Sequence, residues 1–223
     1  MKTSQKGKLF ILAKEGICLS KYKDSVGVWT IGAGATSSDI PDLKDWPMDK
    51  KLTVEEVLNM FVHHLVKYEN AVNKALAVDI AQHQFDALGS ICYNIGTGGM
   101  TKSTFIRRIN AMSPQMDISD AIKMWDKPKE IKGRRAAEAR LYTQGVYGDL
   151  SINIFPVNQN GNPIYNRGTM INGNDYLDKA TPPKATNKSA AASKDNAVDL
   201  SDLLDYMKSQ GIGVIDSVKN LLD

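Results

Sequence analysis

Apolar residues recur along this chain with two different periods, and the change from one to the other marks its elements. The longest run is helical: Val54, Val57, Leu58, Phe61, Leu65, Tyr68, Val72 and Leu76 stand three or four residues apart, which lines them up on one helix face. Thr53 and Glu56 have the spacing of a capping box, and Leu52 is placed to staple onto Val57. Together they predict a helix of about 24 residues, long enough to link two lobes. A second apolar helix is predicted through Phe85, Leu88, Cys92 and Ile95, ending at Gly96-Thr97-Gly98-Gly99, with shorter helices over 104–110, 119–125 and 134–142. Near the start, Leu9, Phe10, Leu12 and Ala13 predict a short helix with one apolar side. It stops at Glu15-Gly16, glycine being the usual C-terminal breaker. Compact β structure follows. Residues 17–22, then 24–31 with Gly27 at a turn, then Gly32-Ala33-Gly34, read as short strands with tight connections. Residues 37–51 carry Pro41 and Pro47 and read as loop. The fold class expected is α+β: a small β-containing N-terminal lobe and a helical C-terminal lobe joined by the long helix.

After Gly148 the pattern fades. Asn, Gly and Pro dominate 158–174, and 181–196 (TPPKATNKSAAASKDN) is low in complexity with little to bury. Amphipathic spacing returns at Leu200, Leu203, Leu204, Met207, Ile212, Ile215, Val218 and Leu222, in a stretch too short for a stable domain. Three segments are therefore expected: a folded domain over 1–148, an irregular segment and linker over 149–198, and a helical tail of unknown role over 199–223.

Composition adds little beyond an ordinary globular balance, 42% apolar and 24% charged. The net charge of +3 is uneven. Residues 1–148 hold 21 Lys/Arg against 16 Asp/Glu, giving +5, and the rest hold 7 against 9, giving −2. A mildly basic half suits an anionic polymer such as nucleic acid or the bacterial wall, but an excess this small does not discriminate. Cys18 and Cys92, 74 residues apart, read as packed free thiols. His63 and His64 are adjacent on the helical pattern, so their side chains point about 100° apart and cannot chelate together; solvated helix histidines are expected. No metal-ligand cluster and no cofactor motif stands out. Gly32-Ala33-Gly34 lacks the third glycine and the βαβ unit of a dinucleotide site. Residues 1–8 are polar and the apolar stretch 9–13 is too short for a secretory signal, and no run is long enough to span a bilayer. The expectation is a chain made in the cytoplasm without membrane insertion, which needs another device to reach the outside.

The chemistry lies in two carboxylates. Cleaving a glycosidic bond takes a protonated acid at the leaving oxygen and a second group on the opposite face of the sugar. Glu15 closes an apolar helix where the chain enters the β segment, a place where partial desolvation favours a protonated carboxyl. Asp24 sits in a polar turn between Lys23 and Ser25, and Thr30 on the next strand offers a hydroxyl to hold a water with it. Singly these residues are weak signals. The spacing Glu-x8-Asp-x5-Thr in a helix–hairpin context is far more selective.

The segment AKEGICLSKYKDSVGVWTIGAGAT resembles the active-site signature of phage-type lysozymes, glycoside hydrolase family 24. QFDALGSICYNIGTGGMTKSTFIRRIN is similar to that family's central helix, groove loop and next helix, and KGRRAAEARLYTQG to its last-helix motif. Three matches in order cover most of residues 5–148. The resemblance implies a muramidase with Glu15 as general acid and Asp24 and Thr30 placing a nucleophilic water. It also implies inversion at the bond between N-acetylmuramic acid and N-acetylglucosamine, with the carboxyls roughly 6.5–9.5 Å apart. It implies that Asn94 and the Gly96–Gly99 loop line the groove, a helix C-cap turn being the plainer reading. Arg134 either reaches Glu15 or pairs with Glu138 at i+4. One departure is Ala35, where the family usually has a structural His; that touches a stabilising interaction, not the chemistry.

The expected partner is bacterial peptidoglycan, met as a monomer in the wall after holin-dependent release, with docking of the tail to a virion or delivery component as a further route. Nucleic acid is not an expected partner. A lytic transglycosylase needs one Glu and no water-holding pair, so Asp24 and Thr30 argue against it. The alternative of another class is a wall-binding or virion structural protein with an inert lysozyme fold. The segment after Gly148 keeps this alternative open.

Overall fold

The computed structural model describes residues 1–176; the expected tail over 199–223 lies outside them. Helix α1 (Gln5–Glu15) opens at Ser4, whose hydroxyl accepts from the Gly7 amide at 3.0 Å. Asp86, fully buried, receives the Ser4 amide at 2.8 Å, Gln82 at 2.9 Å and the Tyr147 hydroxyl. These bonds moor the start of α1 inside the protein. The expectation of one apolar side is corrected here: Leu9, Phe10, Ile11 and Leu12 are all buried in succession. Phe10 belongs to a helical core with Phe85, Leu88, Phe105 and Tyr142, while Leu9, Ile11 and Leu12 belong to a second core with Ile31, Leu43 and Phe61. Where it passes between two cores, at Leu9–Leu12, the helix is apolar all round, while Gln5, Lys6 and Lys14 toward its ends stay exposed.

A three-stranded antiparallel sheet follows: β1 (Cys18–Lys23), β2 (Trp29–Gly32) and β3 (Ala35–Thr36). Tyr22 pairs with Thr30 and Lys23 with Trp29, and a bulge intervenes before Cys18 pairs with Gly32. Helix α2 (Val54–Ala75) starts with the capping box read from the sequence: Thr53 Oγ1 accepts from the Glu56 amide at 3.2 Å, and Glu56 accepts from the Thr53 amide at 2.6 Å. Val57, Leu58, Phe61 and Leu65 enter the second core and Val72 the helical one, so α2 spans both. Helix α3 (Gln82–Lys102) is interrupted at Gly96, where the sequence places a helix end: φ 78° and ψ 163° are not helical there, and a second, short helical piece runs on to Lys102. Helices α4 (Thr104–Asn110), α5 (Gln115–Lys123) and α6 (Lys132–Gln144) close the helical core. Cys18 and Cys92 are free and buried, and burial pushes both thiols up to about 12.

Two other readings change. His64 is not solvated: its side chain is 7% exposed, its Nδ1 lies 3.1 Å from Asp39 Oδ1, and its ring packs edge-on to Tyr68 and Tyr93. Residues 149–176 are not irregular throughout. Strands β4 (Ser151–Ile154) and β5 (Thr169–Asn172) form an antiparallel hairpin with Ile152 fully buried. Ile17 pairs in parallel with Ile154, its amide donating to Asn153 O and its carbonyl accepting from the Phe155 amide, both at 2.8 Å. Burying an isoleucine contributes roughly 1.5–3 kcal/mol, which fastens the hairpin beside the start of β1.

The His64–Asp39 contact gives a pH dependence. Burial lowers the His64 pKa below 6.5, and Asp39 offsets this only in part. Burial pushes the Asp39 carboxyl up, but the Thr36 amide, His64 and Lys67 outweigh it and hold it low. A histidine whose pKa is lower folded than unfolded takes up its proton more readily when unfolded, so stability falls as pH drops through about 6.5. Asp39 adds its loss only below about 3.9. Around His64 the facing groups are Asp39, Lys67, Tyr68 and Tyr93. Thermal unfolding at pH 7 and pH 5 should show a smaller acid-induced drop for His64→Gln than for wild type. Equal drops would assign the acid loss elsewhere.

Candidate active site

Glu15 is the last residue of α1, and its position at the junction of the two cores leaves its side chain 24% exposed. Gly16, at φ 68°, turns the chain from the helix into β1. Across from it, Arg134 on α6 donates through Nη1 to Glu15 Oε1 at 2.7 Å. The same guanidinium donates through Nε to Glu138 Oε1 at 2.9 Å and through Nη2 to the Ser90 carbonyl at 3.1 Å. The two sequence readings of Arg134 therefore both hold: it pairs with Glu138 one turn away and reaches Glu15 as well. Its side chain is 10% exposed. Burial opposes its charge, yet Glu15 and Glu138 outweigh burial and raise its pKa above the ordinary value.

Behind Arg134 stands a second rank that the motif did not single out. Glu138 is fully buried; Oε1 also accepts from the Ser90 hydroxyl at 2.7 Å, and Oε2 accepts from Arg135 Nη1. Arg135, 1% exposed, donates through Nε to Trp125 O at 2.9 Å and through Nη2 to Asn94 Oδ1. A buried carboxylate between two guanidiniums, with a hydroxyl on one oxygen, satisfies the bonding that burial requires. The signal present in the sequence was charge density: Arg-Arg and Glu in one alanine-rich turn of KGRRAAEAR.

On the other side, Asp24 sits in the β1–β2 turn. Its Oδ1 accepts from the Val26 amide at 3.0 Å and the Val28 amide at 2.8 Å, which fixes the carboxylate and leaves Oδ2 for another partner. Thr30, 2% exposed, donates to Val28 O at 3.0 Å, so its oxygen lone pairs remain to accept. Tyr22 lies opposite Thr30 in the ladder, and its phenol is pushed up mainly by burial, then by Cys18, Tyr165, Glu15 and Asp24. Glu15 and Asp24 thus act on the same phenol. Asn94 is exposed at its residue surface, with Oδ1 committed to Arg135, and Gly96 stands at the α3 bend with open space beside it. Tyr93 lies on the same turn of α3, its hydroxyl donating to Ala33 O at 2.8 Å. That bond ties α3 to the β2–β3 connection. Among the described residues no group of His, Cys, Asp and Glu is arranged to hold a metal ion.

A model of the phage lysozyme family matches residues 13–138. The endolysin of Salmonella phage P22 is 31% identical over 146 residues, which cover 64% of this chain and 98% of that protein. The endolysin of Bacillus phage PZA is 29% identical over 158 residues, 68% of this chain but 58% of that protein. Among solved structures, an endolysin from Escherichia coli O157:H7 phage FAHEc1 superposes with a TM-score of 0.60 at 37% identity, covering 66% of this chain and 97% of that one.

Proposed function

The chain belongs to the phage lysozyme family, a family of peptidoglycan-degrading glycosidases, and on that premise we propose that it hydrolyses the β-1,4 bond between N-acetylmuramic acid and N-acetylglucosamine with inversion. The observation that carries the reading is the fixing of Glu15 by Arg134 at one oxygen only. Oε1 is held, and Oε2 is the oxygen left to carry a proton to the glycosidic oxygen. On the far face of the sugar, a water donates one hydrogen to Asp24 Oδ2 and the other to Thr30 Oγ1. As the C1–O bond breaks, the water oxygen bonds to C1, Asp24 takes its proton and Glu15 gives up its own. Room for that water is what separates inverting from retaining carboxylate pairs. Asn94 and Gly96, on the α3 bend, are proposed to line the groove.

The place of action is the cell wall, reached from the cytoplasm through a holin-type pore or carried there by a delivery device to which residues 199–223 dock. Digestion of purified peptidoglycan tests the chemistry. Reducing N-acetylmuramic acid ends should form, and proton NMR during the first turnovers should show the α anomer. First-formed β anomer would overturn inversion, and 1,6-anhydro ends would overturn hydrolysis.

A further inference from the structure

The family match stops at Glu138, and the hairpin beyond it comes up against residues next in sequence to those assigned to catalysis. Phe155 follows β4, and its ring lies so close to Gly16 that a Cβ there would stand 2.4 Å from Phe155 Cε2. Gly16 is the residue next to Glu15. On its other side the same ring meets Gly168, and Tyr165 packs edge-on against it with centroids 5.1 Å apart. The turn between these residues is folded by Asn158, whose Oδ1 accepts from the Asn160 and Asn162 amides at 2.9 and 3.0 Å. That turn carries Gly161 to β1: its carbonyl accepts from the Lys23 amide at 2.7 Å, and it lies directly against the Trp29 indole. Lys23 precedes Asp24 and Trp29 precedes Thr30, so the loop is tied beside all three assigned catalytic positions.

This loop keeps Tyr165 70% exposed although Phe155 holds one edge of its ring. Tyr165 packs on Phe155, and Phe155 lies against Gly16, the residue after Glu15. Asn166 and Arg167, next in sequence, are exposed. An exposed, braced aromatic ring, followed in sequence by an exposed amide and an exposed guanidinium, suits a pyranose: the ring stacks on the C–H face and such donors can meet hydroxyl, acetamido or carboxylate oxygens. An enzyme that cuts within a polymer must also seat sugars beyond the bond it cleaves. We propose that Tyr165, braced by Phe155, forms an additional subsite for the peptidoglycan glycan strand, supplied by the hairpin beyond the family match and seated beside the Glu15–Gly16 turn. The proposal rests on the muramidase reading of Glu15, Asp24 and Thr30.

The test uses the full chain. Tyr165→Ala should raise KM on polymeric glycan by about three- to tenfold, the scale of one aromatic stacking contact, while kcat stays near wild type. Tyr165→Phe, which keeps the ring, should restore most of the loss. A second measurement needs no turnover: Glu15→Gln protein should pellet with insoluble peptidoglycan, and adding Tyr165→Ala should release more of it. Tyr165 is exposed, so equal melting temperatures are expected and serve as the folding control. Unchanged KM and unchanged pelleting for Tyr165→Ala would overturn the subsite and leave the muramidase reading intact. Wild-type protein that releases no reducing ends would overturn the muramidase reading, and the pelleting comparison would still judge the glycan contact.

Discussion

Replacing Glu15 with glutamine should lower kcat on purified peptidoglycan by about 10³-fold or more, within the range that a positioned general acid contributes. Glutamine has the same length and keeps an amide oxygen to accept from Arg134 Nη1, now at 2.7 Å from Glu15 Oε1. What it lacks is the proton that must pass to the leaving oxygen. Arg134 loses one anion but keeps Glu138 at 2.9 Å and the Ser90 carbonyl at 3.1 Å, so its guanidinium remains partnered. KM should therefore change far less than kcat, because the sugars are held by groups that the substitution leaves in place. Initial rates of reducing-end release, followed beside circular dichroism to check the fold, measure this. Turnover at the wild-type rate in a folded Glu15→Gln protein would remove Glu15 from the role of acid.

The assignment behind this prediction comes from a local signal in the sequence. Glu15, Asp24 and Thr30 lie within sixteen positions of one another in a helix, a turn and a strand, and each element has its own short-range cause. Thr53 and Glu56 are equally local, and the long helix begins where their spacing placed it. The rest of the site depends on contacts across the chain. Glu138 acquires its meaning from Ser90, 48 residues away, and Arg134 from Glu15, 119 residues away. The strand at 151–154 is too short to announce itself, and its parallel partner is Ile17. His64 looked solvated because neither Asp39 nor Tyr93 is near it in sequence. Periodicity also misjudged α1, since at Leu9–Leu12 two cores cover the helix from different sides and leave no polar face along that stretch.

The same long-range network carries the largest expected loss of stability. Glu138→Ala should destabilise the protein by about 3–5 kcal/mol, the usual penalty for taking one member out of a buried ionic cluster. For a chain of this size, 1 kcal/mol moves the midpoint by roughly 2–4 °C, so the melting temperature should fall by roughly 6–20 °C. The reason lies in what stays behind. Arg135 is 1% exposed and keeps Trp125 O and Asn94 Oδ1 but no anion, and the Ser90 hydroxyl loses its acceptor. Arg134 keeps Glu15 alone among its carboxylates, together with the Ser90 carbonyl, but loses the acceptor of its Nε and is held less firmly against Glu15. Activity per folded molecule should therefore fall as well, through kcat. Removing the cation together with the anion separates the two effects. Arg135→Met with Glu138→Leu replaces the buried pair by apolar groups of similar bulk, and should recover much of the stability. It should not recover the activity, because Arg134 still lacks the carboxylate that orients it toward Glu15. Calorimetry and initial rates on the single and double variants decide this. A Glu138→Ala protein that melts within a degree or two of wild type would show that the cluster is not what holds α6 against α3.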